Sequence, residues 1–232
     1  MEAAASAGVT RMITMGVDVE RSKAAVSLAG RFPSVWAGVG HQPSEAAPFD
    51  VDALRELAAG ARVVAIGEIG LDFEQEGSPP RDVQIDRLDQ LFELATDLRL
   101  PVSIHNRRAD AEIAERISAH HELRGVMHYF ALEWDWARRF LDLGFFLSFA
   151  GLVTRPSRQG LREVVRLCPA DRLLLETDSP YGNAHRRMGV PNQPSYLLDT
   201  AELVAELRGI GVEELAELEG ANAQALFTRM RS

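Results

Sequence analysis

Val63–Phe73 reads VVAIGEIGLDF. An apolar run delivers one carboxylate, Glu68, between glycines at the point where a strand is expected to end. A buried carboxylate without a partner costs several kcal/mol or takes up a proton. Glu68 is therefore expected to be paired, hydrogen-bonded or bound to a metal. Three later stretches repeat the arrangement: Pro101–Ile104 ends at His105, Val126–Met127 at His128, and Leu173–Glu176 runs to Asp178. Four apolar strands thus each lead to a residue able to ligate a metal.

Between these strands the spacing predicts helices at Glu20–Gly30, Asp50–Gly60, Gln84–Leu98, Ala111–Ala119, Trp134–Leu141 and Arg158–Leu167. Further strands are predicted at Arg11–Val17, Ser34–Gly40 and Phe145–Ala150, and two helices, Tyr196–Arg208 and Val212–Arg229, close the chain. Met1–Gly8 reads as the end of a helix stopped at Gly8. Ala24, Ala25, Leu28 and Ala29 form the expected apolar face of the first long helix, and Asp110 is the expected cap of Ala111–Ala119. Strand and helix alternate, and the strands are short and continuously apolar, the pattern of a parallel sheet covered by helices. The expected fold is an α/β barrel of the TIM type, (β/α)8, with about seven strands and the first one missing. An open doubly wound sheet fits less well, because no glycine-rich phosphate loop follows an early strand. The absence of linkers and repeats favours a single domain over residues 1–232.

Formal net charge is −9, from 34 acidic and 25 basic residues, so nucleic acid would not be held by bulk electrostatics. A local site in which metal supplies the positive charge remains compatible with DNA. The one cysteine, Cys168, excludes an internal disulfide and a cysteine cage. With no membrane span and no signal peptide, a cytoplasmic protein is expected.

In an α/β barrel the C-terminal ends of the strands converge on one mouth, so Glu68, His105, His128 and Asp178 are expected to meet there. Imidazole with carboxylate suits zinc, manganese or iron, whereas all-oxygen sites suit magnesium. Taken singly, each residue has an ordinary explanation: a satisfied histidine, a turn-capping aspartate, a buried ion pair. Four at equivalent positions favour a metal centre. Asp72 reads either as a support behind a ligand or as a loop cap. Arg107 and Arg108 read as a phosphate contact or as a solvated pair, His41 as a loop residue, and His120 and His121 as a helix end. Phe145, Phe146 and Phe149 read as packing.

At these stretches the sequence resembles the TatD family of metal-dependent deoxyribonucleases, within the amidohydrolase-like barrels. GEIGLDF, LPVSIHNR, GVMHYF and LLLETDSPY match its motifs in order, and PNQPSYL is similar to its Asn-Glu-Pro stretch. MGVDVERSKAAVSLAGRFPSVWAGVG matches its early strand–helix–strand region. The resemblance covers essentially the whole chain. It implies metal ligands at Glu68, His105, His128 and Asp178, with Glu68 bridging two divalent ions (magnesium, manganese or zinc) in the complete enzyme. It also implies catalytic roles for Asp178, as proton acceptor from the attacking water, and for Glu68. The implied reaction is hydrolysis of phosphodiester bonds, typically exonucleolytic on DNA.

Three departures stand out. The family's first strand, with its His-x-His pair, has no counterpart, so the first metal site is expected to be impaired. Gln42 stands where the family's loop carries histidine, and His41 is displaced by one. Gln193 replaces the family's glutamate, and HYFAL lacks its Ser-Gly. Two rival functions follow. One is another amidohydrolase-like enzyme cleaving a lactone, amide or phosphotriester. Such enzymes commonly use a carboxylated lysine, and the only lysine here is Lys23. The other is a metal-binding remnant without catalysis.

Overall fold

The computed structural model describes residues 1–231. In chain order the elements are α1 (Glu2–Ser6), β1 (Met12–Met15), α2 (Val19–Arg31), β2 (Val35–Val39), α3 (Val51–Ala58), β3 (Val63–Asp72), α4 (Arg81–Leu98) and β4 (Val102–Arg107). There follow α5 (Asp110–Ala119), β5 (Gly125–Met127), α6 (Trp134–Asp142), β6 (Phe146–Phe149), α7 (Gln159–Leu167), β7 (Leu173–Leu175), α8 (Leu197–Arg208) and α9 (Val212–Leu226). The chain forms two compact units, Arg11–Met127 with residues 226–231, and Met1–Thr10 with His128–Ala225. Seven strands are present among the described residues, as the sequence predicts.

In the first unit β1 to β5 pair consecutively, every pair parallel. Parallel strands buried on both faces must be apolar throughout. Val63, Val64, Ala65, Ile66, Val102 and Ile104 accordingly have no exposed surface. Helix α4 packs on β3 and buries Leu88, Leu91, Phe92 and Ala95, the face its spacing predicts. Each such large side chain contributes about 1.5–3 kcal/mol by leaving water. The caps follow local chemistry: Asp18 accepts from Arg21 N–H, and Asp50 from Ala53 N–H.

Three local expectations are corrected. Asp110 does not cap α5 but is its first residue, and its carboxylate accepts from Asn106 Nδ2 at 2.7 Å. The buried residues of α2 are Ser22, Ala25 and Ala29, whereas Ala24 and Leu28 are exposed. Ser22 replaces them because its hydroxyl meets the Gly40 backbone, whose N–H donates to Ser22 Oγ at 3.2 Å. Finally, β3 does not end at Glu68 but continues to Asp72.

The second unit is built on β6 and β7, again parallel, beneath Phe140, Phe145, Phe149, Val164, Val165 and Val204, all with no exposed surface. Glu176 N–H donates to Phe149 O at 3.1 Å, continuing the β6 side of the ladder. Leu173 and Leu175 then address the opposite edge, and α9 satisfies it with side chains. Asn222 Nδ2 donates to Ala170 O at 2.7 Å and to Leu173 O at 2.8 Å. The Glu219 carboxyl accepts from Leu175 N–H, and burial pushes its pKa up to about 7 despite that bond. A helix thereby covers an edge that would otherwise offer free backbone groups. No helix among the described residues is long and apolar enough to cross a membrane.

Candidate metal centre

In the first unit Glu68 sits at an interruption of the ladder. Pairing of β3 with β4 is irregular between Ile66 and Ile69, then resumes at Ile69 with Ile104 and Gly70 with His105. At the interruption Glu68 N–H donates to Gly16 O at 3.0 Å. The glycines around it permit close backbone approach. A Cβ on Gly40 would lie 2.6 Å from Glu68 O, and one on Gly70, at φ +145°, would lie 1.9 Å from His105 O.

His105 is held from both sides. Its Nδ1 lies 3.0 Å from Glu68 Oε1 and its Nε2 lies 3.1 Å from Asp72 Oδ2. The Asp72 side chain is fully buried, and its other oxygen accepts from Glu74 N–H at 3.0 Å and Gln75 N–H at 2.9 Å. Burial alone would raise the Asp72 pKa. The bonds from His105 and the two backbone N–H groups outweigh it and hold the carboxyl at about 2. Both readings of Asp72, ligand support and loop cap, therefore hold together.

The second unit builds a similar set from turns. His128 follows β5 directly, and Tyr129 after it adopts the left-handed region at φ 46°. For a bulky residue this costs roughly 1–2 kcal/mol. Asp178 lies three residues beyond β7, also left-handed at φ 60°, a region that aspartate tolerates better than most residues. His128 Nδ1 lies 2.7 Å from Glu176 Oε1, and its Nε2 lies 3.8 Å from Asp178 Oδ1. The contact with Glu176 is close but not aligned as a hydrogen bond, which leaves Glu176 Oε1 buried without a donor. Asn192 clamps the turn, donating to Thr177 O at 2.7 Å and Tyr181 O at 2.5 Å.

The donor sets suit a divalent cation. Two N or O donors, each ~2.0–2.2 Å from one ion, stand at most about 4.4 Å apart. The Glu68–His105 and His128–Asp178 separations fall within that range. Behind each histidine a carboxylate, Asp72 or Glu176, faces the other ring nitrogen, the arrangement that orients metal-binding imidazoles. No group of three or more His, Cys, Asp or Glu among the described residues forms a ready cage, so the fit is judged one pair at a time.

Glu176 and Asn192 were not identified as supports by sequence reading. The signal for Glu176 is the acid in Glu-Thr-Asp two residues before a ligand candidate. Arg107 and Arg108 are not free for phosphate in this structure: both pair with Glu74, at 2.8 and 3.5 Å. His41 is buried, with Arg87 Nη1 3.1 Å from its Nε2. Gln42 turns its carbonyl to Ser44 N–H at 2.9 Å. Gln193 precedes the short turn Pro194–Tyr196. His120 Nδ1 meets Arg116 O at 2.9 Å at the end of α5. Phe145, Phe146 and Phe149 are buried as expected.

Comparison with known proteins bears on this geometry. The family model described as TatD related DNase matches residues 1–228. The Bacillus subtilis protein named uncharacterized metal-dependent hydrolase YabD is 34% identical over 98% of this chain and 91% of its own length. The 3'-5' ssDNA/RNA exonuclease TatD of Cronobacter sakazakii is 36% identical over 99% of this chain and 90% of its own length. The crystal structure of YjjV, a TatD homologue from Escherichia coli K12, superposes with a TM-score of 0.92 at 30% identity, covering 98% of this chain and 90% of that one. The fold is thus the TIM-type α/β barrel, with seven strands among the described residues. The chain belongs to the TatD-related DNase family and is a metal-dependent hydrolase.

Proposed function

We propose that the protein hydrolyses phosphodiester bonds of DNA from strand ends, with Glu68, His105, His128 and Asp178 as metal ligands. The observation that carries this reading is the repeated set of carboxylate, imidazole and supporting carboxylate: Glu68–His105–Asp72 and Asp178–His128–Glu176. The naming of the Cronobacter relative as an exonuclease supports the substrate class. A bound divalent ion (magnesium, manganese or zinc, two of them in the complete family site) supplies Lewis acidity and lowers the pKa of water.

The chain's own residues do the rest. Asp72 fixes the His105 ring by a hydrogen bond, and Glu176 stands against one nitrogen of His128, so that the other nitrogen of each ring faces the ligand carboxylate. Asp178 accepts the proton as water oxygen attacks phosphorus, the P–O ester bond breaks with its electron pair leaving on the departing oxygen, and that oxygen takes the proton held by Asp178. Glu68 contributes charge that holds the cation against the substrate. The family match spans both compact units, which supports reading residues 1–232 as one hydrolase domain, and we place it in the cytoplasm.

The test is release of nucleotides from single-stranded DNA by the purified chain with magnesium or manganese. Release with either ion supports the reading. Failure with both, alongside turnover of a lactone or amide, overturns it in favour of another amidohydrolase-like reaction. Metal binding without any turnover would indicate a binding remnant.

A further inference from the structure

The unit that carries His128 and Asp178 also holds a guanidinium that the reaction above does not use. Arg155 follows the short turn Gly151–Thr154, and this turn is anchored on two sides. On one side Gly151 abuts the 182–184 segment, where a Cβ would lie 2.3 Å from Ala184 N and 2.4 Å from Gly182 O. There His185 N–H also donates to Thr154 Oγ1 at 2.6 Å. On the other side Arg162, from α7, donates to Val153 O at 3.2 Å and Thr154 O at 3.1 Å.

The same segment touches the candidate catalytic group. A Cβ on Gly182 would lie 3.0 Å from Asp178 Cβ and 2.9 Å from Tyr129 Cε2. Gly182 thus connects the turn bearing Arg155 to Asp178. Asp178 and Glu176 on the acidic side and Arg155 and Arg158 on the basic side all lie within electrostatic reach of the Tyr129 hydroxyl.

Arg155 is half-buried, and its Nε is shielded from water without any hydrogen-bond partner. Among the described residues its guanidinium makes no ion pair. A buried donor left unmade is a net cost to folding, and one in a native protein calls for an explanation. Two other arginines of this unit, by contrast, are committed to carboxylates. Arg186 bonds Asp199 and Glu202, at 2.5 and 2.7 Å, and Arg187 bonds Asp199 at 2.9 Å. Arg155 is held in place and kept in reserve.

We propose that Arg155 is a substrate-binding residue whose guanidinium takes the non-bridging oxygens of a substrate phosphate beside Asp178. The planar fork of arginine matches phosphate oxygens two at a time, and a backbone held on both sides limits the entropy lost on binding. In a protein of net charge −9, a local cation is also what admits an anionic chain past the acidic ligands. This inference rests on the phosphodiester reading.

Steady-state kinetics of wild type, Arg155→Gln and Arg155→Lys on a single-stranded oligonucleotide with manganese test it. Arg155→Gln is expected to raise KM by about tenfold, the loss of one charge-assisted bond. It is also expected to make log(kcat/KM) less steep in log[salt] by about 0.7, the increment of one single-strand phosphate contact. Arg155→Lys should restore the salt slope and only part of the KM. Wild-type KM and slope in Arg155→Gln would overturn the proposal, as would a lowered Tm and kcat with an unchanged slope, the mark of a merely structural residue. If wild type does not cleave DNA at all, the nuclease reading fails separately. Arg155 is then judged by its 1H–15N Nε signal, assigned by its disappearance in Arg155→Gln. A saturable shift on adding inorganic phosphate supports the proposal, and an unmoved signal overturns it.

Discussion

The Glu68–His105–Asp72 set and the Asp178–His128–Glu176 set contain the same three kinds of group but reach them by different means. The first is carried by adjacent strands: Glu68, Asp72 and His105 belong to β3 and β4, with Glu68 at the irregularity of the ladder and its pairing resumed from Ile69 to Asp72. The second hangs on turns past the ends of β5 and β7, with Tyr129 and Asp178 both left-handed. Side chains such as Asn192 substitute there for a ladder. The contacts differ accordingly. His105 is bonded at both ring nitrogens, whereas His128 stands 3.8 Å from Asp178 and meets Glu176 off line. A strand-borne set is rigid before any cation arrives; a turn-borne set leaves more of its geometry to be completed by one.

The largest effects should come from the ligand carboxylates. Glu68→Gln and Asp178→Asn should each lower kcat by about 10²–10⁴ in nucleotide release, the range of a lost catalytic proton acceptor or ligand. A loss confined to one of them would break the symmetry between the sets.

The supporting carboxylates sharpen the comparison. Asp72→Asn and Glu176→Gln should each weaken metal affinity by about 10–100-fold. Only Asp72→Asn should also destabilise the fold, by about 1–3 kcal/mol in denaturant titration, because Asp72 holds the Glu74 and Gln75 N–H groups as well as His105. Equal destabilisation by Glu176→Gln would show that the turn-borne set is as integral to folding as the strand-borne one.

The support of β7 carries a pH signature. Glu219 titrates at about 7 in the folded chain against 4.5 for an ordinary glutamate, so the folded state binds more protons between those values. Stability should therefore fall as pH rises from about 4.5 to 7 and level off above. Glu219→Gln should flatten this decline in thermal melts. An unchanged decline would remove Glu219 as its source.

Much of this was legible in the sequence because apolar continuity marks parallel strands well, and because a polar residue that breaks such a run on one strand is brought beside its counterpart on the next. Glu68 and His105 could be read that way. The run-on of β3 to Asp72 could not, since it depends on a pairing irregularity that no local pattern encodes. Ser22 was missed because its partner, Gly40, is 18 residues away. Glu176 and Asn192 escaped for the same reason: their roles rest on contacts across loops, where neither period 2 nor period 3.6 applies. Arg155 looks like any surface arginine in sequence, and only the burial of its Nε sets it apart.

The smallest effect expected is that of Arg107→Ala. Its exposed pair with Glu74 should contribute under about 1 kcal/mol, with no change in KM for DNA. A tenfold rise in KM would return Arg107 to the phosphate role and weaken the case for Arg155.

Titration of the metal-free protein with manganese, followed by electron paramagnetic resonance, tests the central claim most directly. Wild type, His105→Ala and His128→Ala would be compared under one set of conditions. Wild type should bind tightly and both variants more weakly, with the larger fraction of affinity surviving in His128→Ala because the strand-borne set is already built. Binding in either variant as tight as in wild type would contradict the assignment of that histidine, and unweakened binding in both would remove the metal centre described here.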